Sequence, residues 1–202
     1  MTRWLPFDVA DCDASPFVQF RRWYDEAAPD MAEREAVTLV TATADARPSA
    51  RMVLLRRVGE DSFGWYTNYE SRKARELAEN PRAALLWYCE AQGRQIRIEG
   101  AVARSSEEDS NAYFATRARR SQIGAHASHQ SSPLASREAL ENRVELLEAE
   151  FAGRDVPRPA NWGGYVLTPD AFEFWQHREN RLHDRVLYHL ANGEWSLARY
   201  AP

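Results

Sequence analysis

Lysine is nearly missing from this chain: 25 of its 26 basic residues are arginine, and Lys73 is the single lysine. Arginine therefore fills positions where either cation would serve, and the one retained lysine stands out. Cysteine is scarce as well. Cys12 and Cys89 show no metal-ligand spacing and read as thiols rather than as a disulfide framework. No apolar run approaches the ~20 residues needed to cross a bilayer. The start, MTRWLPFDVADCDASPF, lacks the apolar stretch of a signal peptide, so a cytoplasmic protein with no membrane partner is expected. Positive charge is not in excess either. The arginines are dispersed and outnumbered by 30 acids, which excludes nucleic acid as the main partner. No repeat, low-complexity tract or linker interrupts the 202 residues. One domain over 1–202 is expected, with 1–15 a flexible lead-in.

What is present is a series of short β-rich segments set off by turn residues. Residues 36–44, 49–58 and 63–68 read as three strands joined by tight turns, and 82–90 and 94–102 as two more. Strand candidates return at 162–167, 171–175, 185–190 and 194–199, the last two joined by Ala191-Asn192-Gly193. Strands that follow one another without helices between them predict an antiparallel meander or barrel, mainly β with peripheral helices (α+β). A helix is expected from Pro16 to about Ala28, where Phe17, Phe20, Trp23 and Tyr24 recur at helical spacing and should pack on the sheet. Others are expected at 105–117 and 136–151, with 122–136 a loop holding a short helical turn.

Three places carry chemistry suited to anions. Ser71-Arg72-Lys73 opens a helical stretch, and cations in a first turn are unfavourable against the helix dipole unless an anion compensates. Tyr113 and Arg117, four apart on a helix, and Ser121 beyond them supply a phenol, a guanidinium and a hydroxyl suited to a phosphate. In EFWQHRENRLHDR (173–185), an extended reading projects Arg181, His183 and Arg185 to one side and Leu182 and Asp184 to the other. On 94–102, Gln95, Arg97 and Glu99 share a polar face. His126 and His129 lack a third ligand, so no metal is assigned.

Together, RMVLLRR (51–57), WYTNYESRKARELAENPRAALLWY (65–88), RQIRIEG (94–100), YFATRARRSQIGAHAS (113–128), PRPANWGGY (157–165) and EFWQHRENRLHDR (173–185) resemble the pyridoxine/pyridoxamine 5'-phosphate oxidase family. The resemblance runs from about residue 16 to the C-terminus. It implies an FMN-binding split β-barrel that forms a homodimer with FMN at the subunit interface. It also implies oxidation of a small phosphorylated pyridine, pyridoxine or pyridoxamine 5'-phosphate, at C4' by hydride transfer to flavin N5. Dioxygen then reoxidises the flavin, giving hydrogen peroxide and pyridoxal 5'-phosphate. Carried over by position, the FMN contacts are Arg51, Met52, Val53, Leu54, Leu55 and Arg56, then Tyr66, Thr67, Arg72 and Lys73, then Gln95, Gln130, Ser131, Trp175 and Arg185. The substrate contacts are Arg56, Tyr113, Arg117 and Ser121 with Arg181, Leu182 and His183. Arg181 and His183 are expected over the reacting ring as the catalytic pair, His183 as candidate proton acceptor or hydrogen-bond partner of the substrate hydroxyl.

The chain departs from the family pattern at Arg56, where lysine is usual, at Ala118 for proline, at His126 for tryptophan and at His177 for glycine. These departures motivate a second reading, a related flavin oxidase of the phenazine-biosynthetic kind. A third is a non-catalytic flavin- or haem-binding split barrel.

Overall fold

The longest strand, β7 (Trp162–Gln176), decides the architecture. It was expected as two segments, 162–167 and 171–175, because Thr168-Pro169-Asp170 looks like a turn. The computed structural model, which describes residues 5–202, carries it through as one strand. The proline is tolerated because β7 itself bulges there, Asp170 being the extra residue without a partner in β6. β6 (Arg94–Arg104) runs beside β7 along its whole length, with its register shifted between Glu99 and Gly100 opposite Pro169. On its other edge β7 changes neighbours. Trp162–Asn68 through Leu167–Phe63 pair it with β4 (Phe63–Asn68), and Ala171–His189 through Gln176–Asp184 pair it with β8 (Asp184–Ala191). That change of partner is the split in the barrel.

The remaining strands are β1 (Ala36–Ala42), β2 (Pro48–Leu54), β3 (Arg57–Val58), β5 (Arg82–Cys89) and β9 (Glu194–Tyr200). All pairings among the described strands are antiparallel, in the order β2-β1-β5-β6-β7-β4-β3, with β8 and β9 continuing from β7. The stretch expected as one strand at 49–58 breaks after Leu54. Its continuation crosses to β4, where the Arg56 N–H donates to Gly64 O at 2.8 Å, and this closes the curl. In the β8–β9 hairpin, Asn192 (φ 54°) and Gly193 (φ 83°) take the two left-handed positions of the turn.

Two apolar clusters form. The larger fills the barrel with Phe63, Trp65, Leu85, Ile96, Ile98 and Phe174, all at most 1% exposed. Helix α1 (Pro16–Glu26) plugs one end with Phe20 and Trp23, so its aromatic stripe is core. The smaller lies outside the barrel beneath α3 (Glu107–Thr116), α4 (Arg119–Ala127) and α5 (Arg137–Glu150), where Phe114, Ile123, Phe151, Val156 and Trp162 meet. The short helical turn expected within 122–136 is the end of α4, which begins earlier, at Arg119, and buries Ile123 and Ala127 on one face.

Within the lead-in segment, Phe7 packs on the barrel. Its ring is buried 4.7 Å from Trp23, and its N–H donates to Asp184 Oδ2 at 3.1 Å. Residues 1–4 of that stretch lie outside the described residues. Cys12 and Cys89 are free thiols.

Gly100 is the position where backbones approach most closely. A Cβ there would lie 2.2 Å from Thr168 O and 2.8 Å from Pro169 Cα. Gly100→Ala is therefore expected to cost about 3 kcal/mol, which lowers Tm by roughly 6–12 °C for a chain of this size. A thermal melt unchanged within 2–3 °C, about the shift of a 1 kcal/mol change, would show that the bulge can move aside.

Candidate functional site

A cavity of about 1150 Å³ opens between the outer face of β2, the end of β4, the start of helix α2 (Arg72–Glu79) and the α3–α4 corner. β2, an edge strand, alternates exposed and half-buried residues, and this places Met52 and Leu54 on the cavity rim. Arg51, Val53, Arg56, Tyr66 and Thr67 also line it, as do Arg72, Lys73, Gln130 and Ser131. Leu55 does not. Its side chain is 4% exposed within the barrel core.

The start of α2 is where cations gather. Ser71 occupies the N-cap, but its side chain makes no capping bond. Instead Lys73 Nζ donates to Ser71 Oγ (3.3 Å), Thr67 Oγ1 (3.1 Å) and Gln130 Oε1 (3.2 Å). All three acceptors are neutral, and no carboxylate among the described residues forms an ion pair with this 7%-exposed ammonium. Burial, and then the charge of Arg51, lower its pKa to about 8. The first free amide of the helix, Arg72 N–H, donates to Ser131 Oγ at 3.1 Å. A buried cation bonded only to neutral oxygens beside a helix N-terminus fits a phosphate.

A second cationic end is built on Trp162. Tyr113 was expected to share a helix face with Arg117, yet α3 ends at Thr116, and Arg117 is extended (φ −72°, ψ 145°). Packing brings the two together all the same. Tyr66 stacks on Tyr113 (3.9 Å) and Trp162 (5.5 Å), and the Arg117 guanidinium lies 4.6 Å from the Trp162 ring. Arg117 Nη1 is buried without a hydrogen-bond partner among the described residues, and burial lowers the pKa of the group. Ser121, in the first turn of α4, lines the same cavity. Trp162 and Asn68 were not picked out from the sequence. Nothing local marks Trp162 beyond the Gly163-Gly164 after it, and Asn68 shows itself only through a buried Nδ2 that lacks a partner among the described residues.

The other expected site residues form a separate group on the outer face of the barrel wall. None of Gln95, Trp175, Arg181, Leu182, His183 or Arg185 lines the cavity. Gln95 pairs with Trp175 across β6–β7, and Trp175 with Arg185 across β7–β8. Arg185 Nη2 donates to the buried Glu173 (2.6 Å), which also accepts from Arg97 (3.2 Å). The alternation expected through 177–185 fails. β7 ends at Gln176 and residues Glu179–Arg181 form a 3-10 turn, with Asn180 (φ 55°) and Arg181 (φ 61°) left-handed. Arg181 and Leu182 are exposed there. His183 turns back instead, 4.5 Å from the Trp175 ring and 5.1 Å from His177. Its Nδ1 accepts the Arg178 N–H at 3.1 Å. A backbone N–H can only donate, so the neutral ring carries its proton on Nε2. Burial first, then the charges of His177 and Arg181, lower the His183 pKa. His126 and His129 point to separate partners, Pro157 O (2.7 Å) and Arg143 (2.9 Å).

A split barrel with two cationic ends in one cavity suits a flavin-binding oxidoreductase, and comparison with known proteins places the chain in that class. Residues 24–150 match the model described as pyridoxamine 5'-phosphate oxidase, and residues 162–202 match the pyridoxine 5'-phosphate oxidase C-terminal dimerisation region. The pyridoxine/pyridoxamine 5'-phosphate oxidase of Rubrobacter xylanophilus is 54% identical over 98% of this chain and 91% of its own length. That of Paraburkholderia phymatum is 51% identical over 96% of this chain and 92% of its own. Among solved structures, PhzG from Burkholderia lata 383, in complex with tetrahydrophenazine-1-carboxylic acid, superposes with a TM-score of 0.91 at 32% identity, covering 98% of each chain. This chain belongs to the pyridoxine/pyridoxamine 5'-phosphate oxidase family, an FMN-binding family of oxidoreductases. Its C-terminal dimerisation region supports a homodimer. No helix among the described residues is long and apolar enough to cross a membrane.

Proposed function

We propose that the protein oxidises pyridoxine 5'-phosphate or pyridoxamine 5'-phosphate to pyridoxal 5'-phosphate. The observation that carries this reading is the pair of separate cationic ends in one cavity. Lys73 with the α2 N-terminus is one, and Arg117 with Tyr113 and Ser121 is the other. A flavin mononucleotide brings one phosphate; a second receptor beside it calls for a phosphorylated substrate.

Bound FMN would supply the redox chemistry, taking up the hydride from C4' and returning two electrons to dioxygen, with two protons giving hydrogen peroxide; the amine substrate would also consume water and release ammonia. The protein's own residues position the partners. Arg72, Lys73 and Ser131 hold the cofactor phosphate, and Arg51, Val53, Tyr66 and Thr67 line its binding wall. Arg117, Tyr113 and Ser121 hold the substrate phosphate, with Arg56 at the rim. Arg181 covers the pyridine ring, and His183 offers its Nε2–H to the substituent on C4'. Trp175, Gln95 and Arg185 complete the flavin site. A homodimer with FMN at the subunit interface is supported by the way the site residues fall into two groups on one chain, an arrangement that a two-fold axis would complete by bringing each group to its complement.

A second reading is favoured by the likeness to PhzG, whose complex holds an unphosphorylated tricyclic carboxylate. Reconstituted with FMN, the protein is expected to release peroxide with both phosphorylated vitamers and far less with pyridoxine itself. Peroxide from tetrahydrophenazine-1-carboxylic acid but from neither vitamer would replace the first reading with the second.

A further inference from the structure

We infer that Glu76 is the positioning residue of the phosphate receptor, the buried carboxylate that orients Arg51 and Arg72 and sets the receptor's charge to match a phosphate dianion. This rests on the reading that the α2 end of the cavity holds the phosphate of FMN.

Glu76 lies one turn beyond Arg72 on the inner face of α2 and is 3% exposed. Burial alone would raise its pKa. Hydrogen bonds from Ser49 (2.6 Å), Thr41 (2.5 Å) and Arg72 Nε (2.8 Å), with the charge of Arg51, overcome that and hold it at about 2. Arg51 Nη2 reaches the same Oε2 that Ser49 and Thr41 use, at 3.3 Å, and Arg51 Nη1 also donates to Thr41 Oγ1 at 2.5 Å. Glu76 therefore fastens two guanidinium groups from different elements, one on β2 and one on α2. Both line the cavity, whereas Glu76 and Thr41 do not.

Charge follows the same division. Arg51 and Arg72 are each tied back to Glu76, and Lys73, the residue next to Arg72, is bonded only to neutral oxygens. Three cations and one carboxylate leave a surplus of two positive charges. A phosphate monoester carries roughly −1.5 to −2 at neutral pH. Without Glu76 the three cations would repel one another, and the two guanidiniums would lose their fixed direction. A glutamine in its place accepts with one oxygen only, and its amide turns a donor toward one of the arginines.

The test is the ratio of FMN to riboflavin affinity, measured by quenching of flavin fluorescence on titration with the flavin-free dimer. The two ligands differ only in the phosphate. Wild type is expected to prefer FMN strongly. Glu76→Gln should reduce that preference at least about tenfold, the worth of one charge-assisted hydrogen bond, with riboflavin affinity unchanged. A folding defect alone would weaken both ligands together. An unchanged or increased preference overturns the proposal. Should Glu76→Gln fail to fold, Thr41→Val decides. It removes one donor to Glu76 and one acceptor of Arg51, both outside the cavity, and should lower the preference severalfold; no change overturns the proposal. A wild-type protein that binds riboflavin as well as FMN would sink the underlying reading of this end as a phosphate site, a result distinct from failure of Glu76 alone.

Discussion

Lys73→Met releases FMN: the expected loss in affinity is about tenfold to a hundredfold, the worth of a charge-assisted hydrogen bond of about 1.5–3 kcal/mol. Methionine keeps most of the buried stem, so the barrel is preserved and the change isolates the charge. The side chain is buried at 7% exposure and meets only neutral oxygens from Thr67, Ser71 and Gln130. A group so placed gives the folded chain little, and its energy is held for an incoming anion. Unaltered FMN affinity in the variant would refute the assignment.

The same group predicts a pH dependence with opposite signs for folding and for binding. Its pKa in the free protein is about 8, below the usual 10.5. Between those values the unfolded chain binds the proton and the folded chain does not. Unfolding is then linked to proton uptake, and the stability of the flavin-free protein rises with pH across that window. FMN needs the ammonium, so its affinity falls as pH rises above about 8. Titrations at pH 7, 8, 9 and 10 are expected to show this decline in wild type and a flat profile in Lys73→Met (window from linkage).

Arg117→Ala has the second large effect, and it falls on the substrate rather than on the cofactor. KM for the phosphorylated vitamers is expected to rise about a hundredfold, while FMN remains bound and the slow turnover of unphosphorylated pyridoxine is unchanged. Arg117 Nη1 is a buried donor without a partner among the described residues, and its guanidinium lies against Trp162 at 4.6 Å. Leaving such a donor unpaired costs the free protein, and the stacking on Trp162 offsets part of that. Thermal stability should therefore not fall with the substitution. A fall in kcat at constant KM would place Arg117 at the reacting end of the substrate instead.

Much of this was legible in the linear sequence, and the failures share a cause. Alternation and turn residues located the strands, with β7 the instructive exception. Thr168-Pro169-Asp170 has turn composition, yet the strand continues because Gly100 on β6 leaves room for the bulge. The break after Leu54 was invisible because Leu55 and Val58 are as apolar as the residues before them. Arg181, His183 and Arg185 were grouped by a period of two, which holds only while the chain stays extended. Asn180 and Arg181 at positive φ end that regularity. The pairing of Tyr113 with Arg117 was expected for a helical reason that does not apply. They meet on Trp162, 45 positions downstream of Arg117.

The sequence by itself determined the family, the antiparallel β class and which side chains are candidates for binding anions. Composition, local periodicity and ordered motifs are properties of the chain that need no third dimension. Only the tertiary structure decided which of those side chains share a cavity, that Lys73 meets neutral acceptors while Arg51 and Arg72 are tied to Glu76, and that Gln95, Trp175 and His183 stand apart from the rest. Burial, pKa and hydrogen-bond partnership arise from contacts between residues tens of positions apart. Those contacts exist only once the sheet has curled and the desolvated groups have found, or failed to find, their partners.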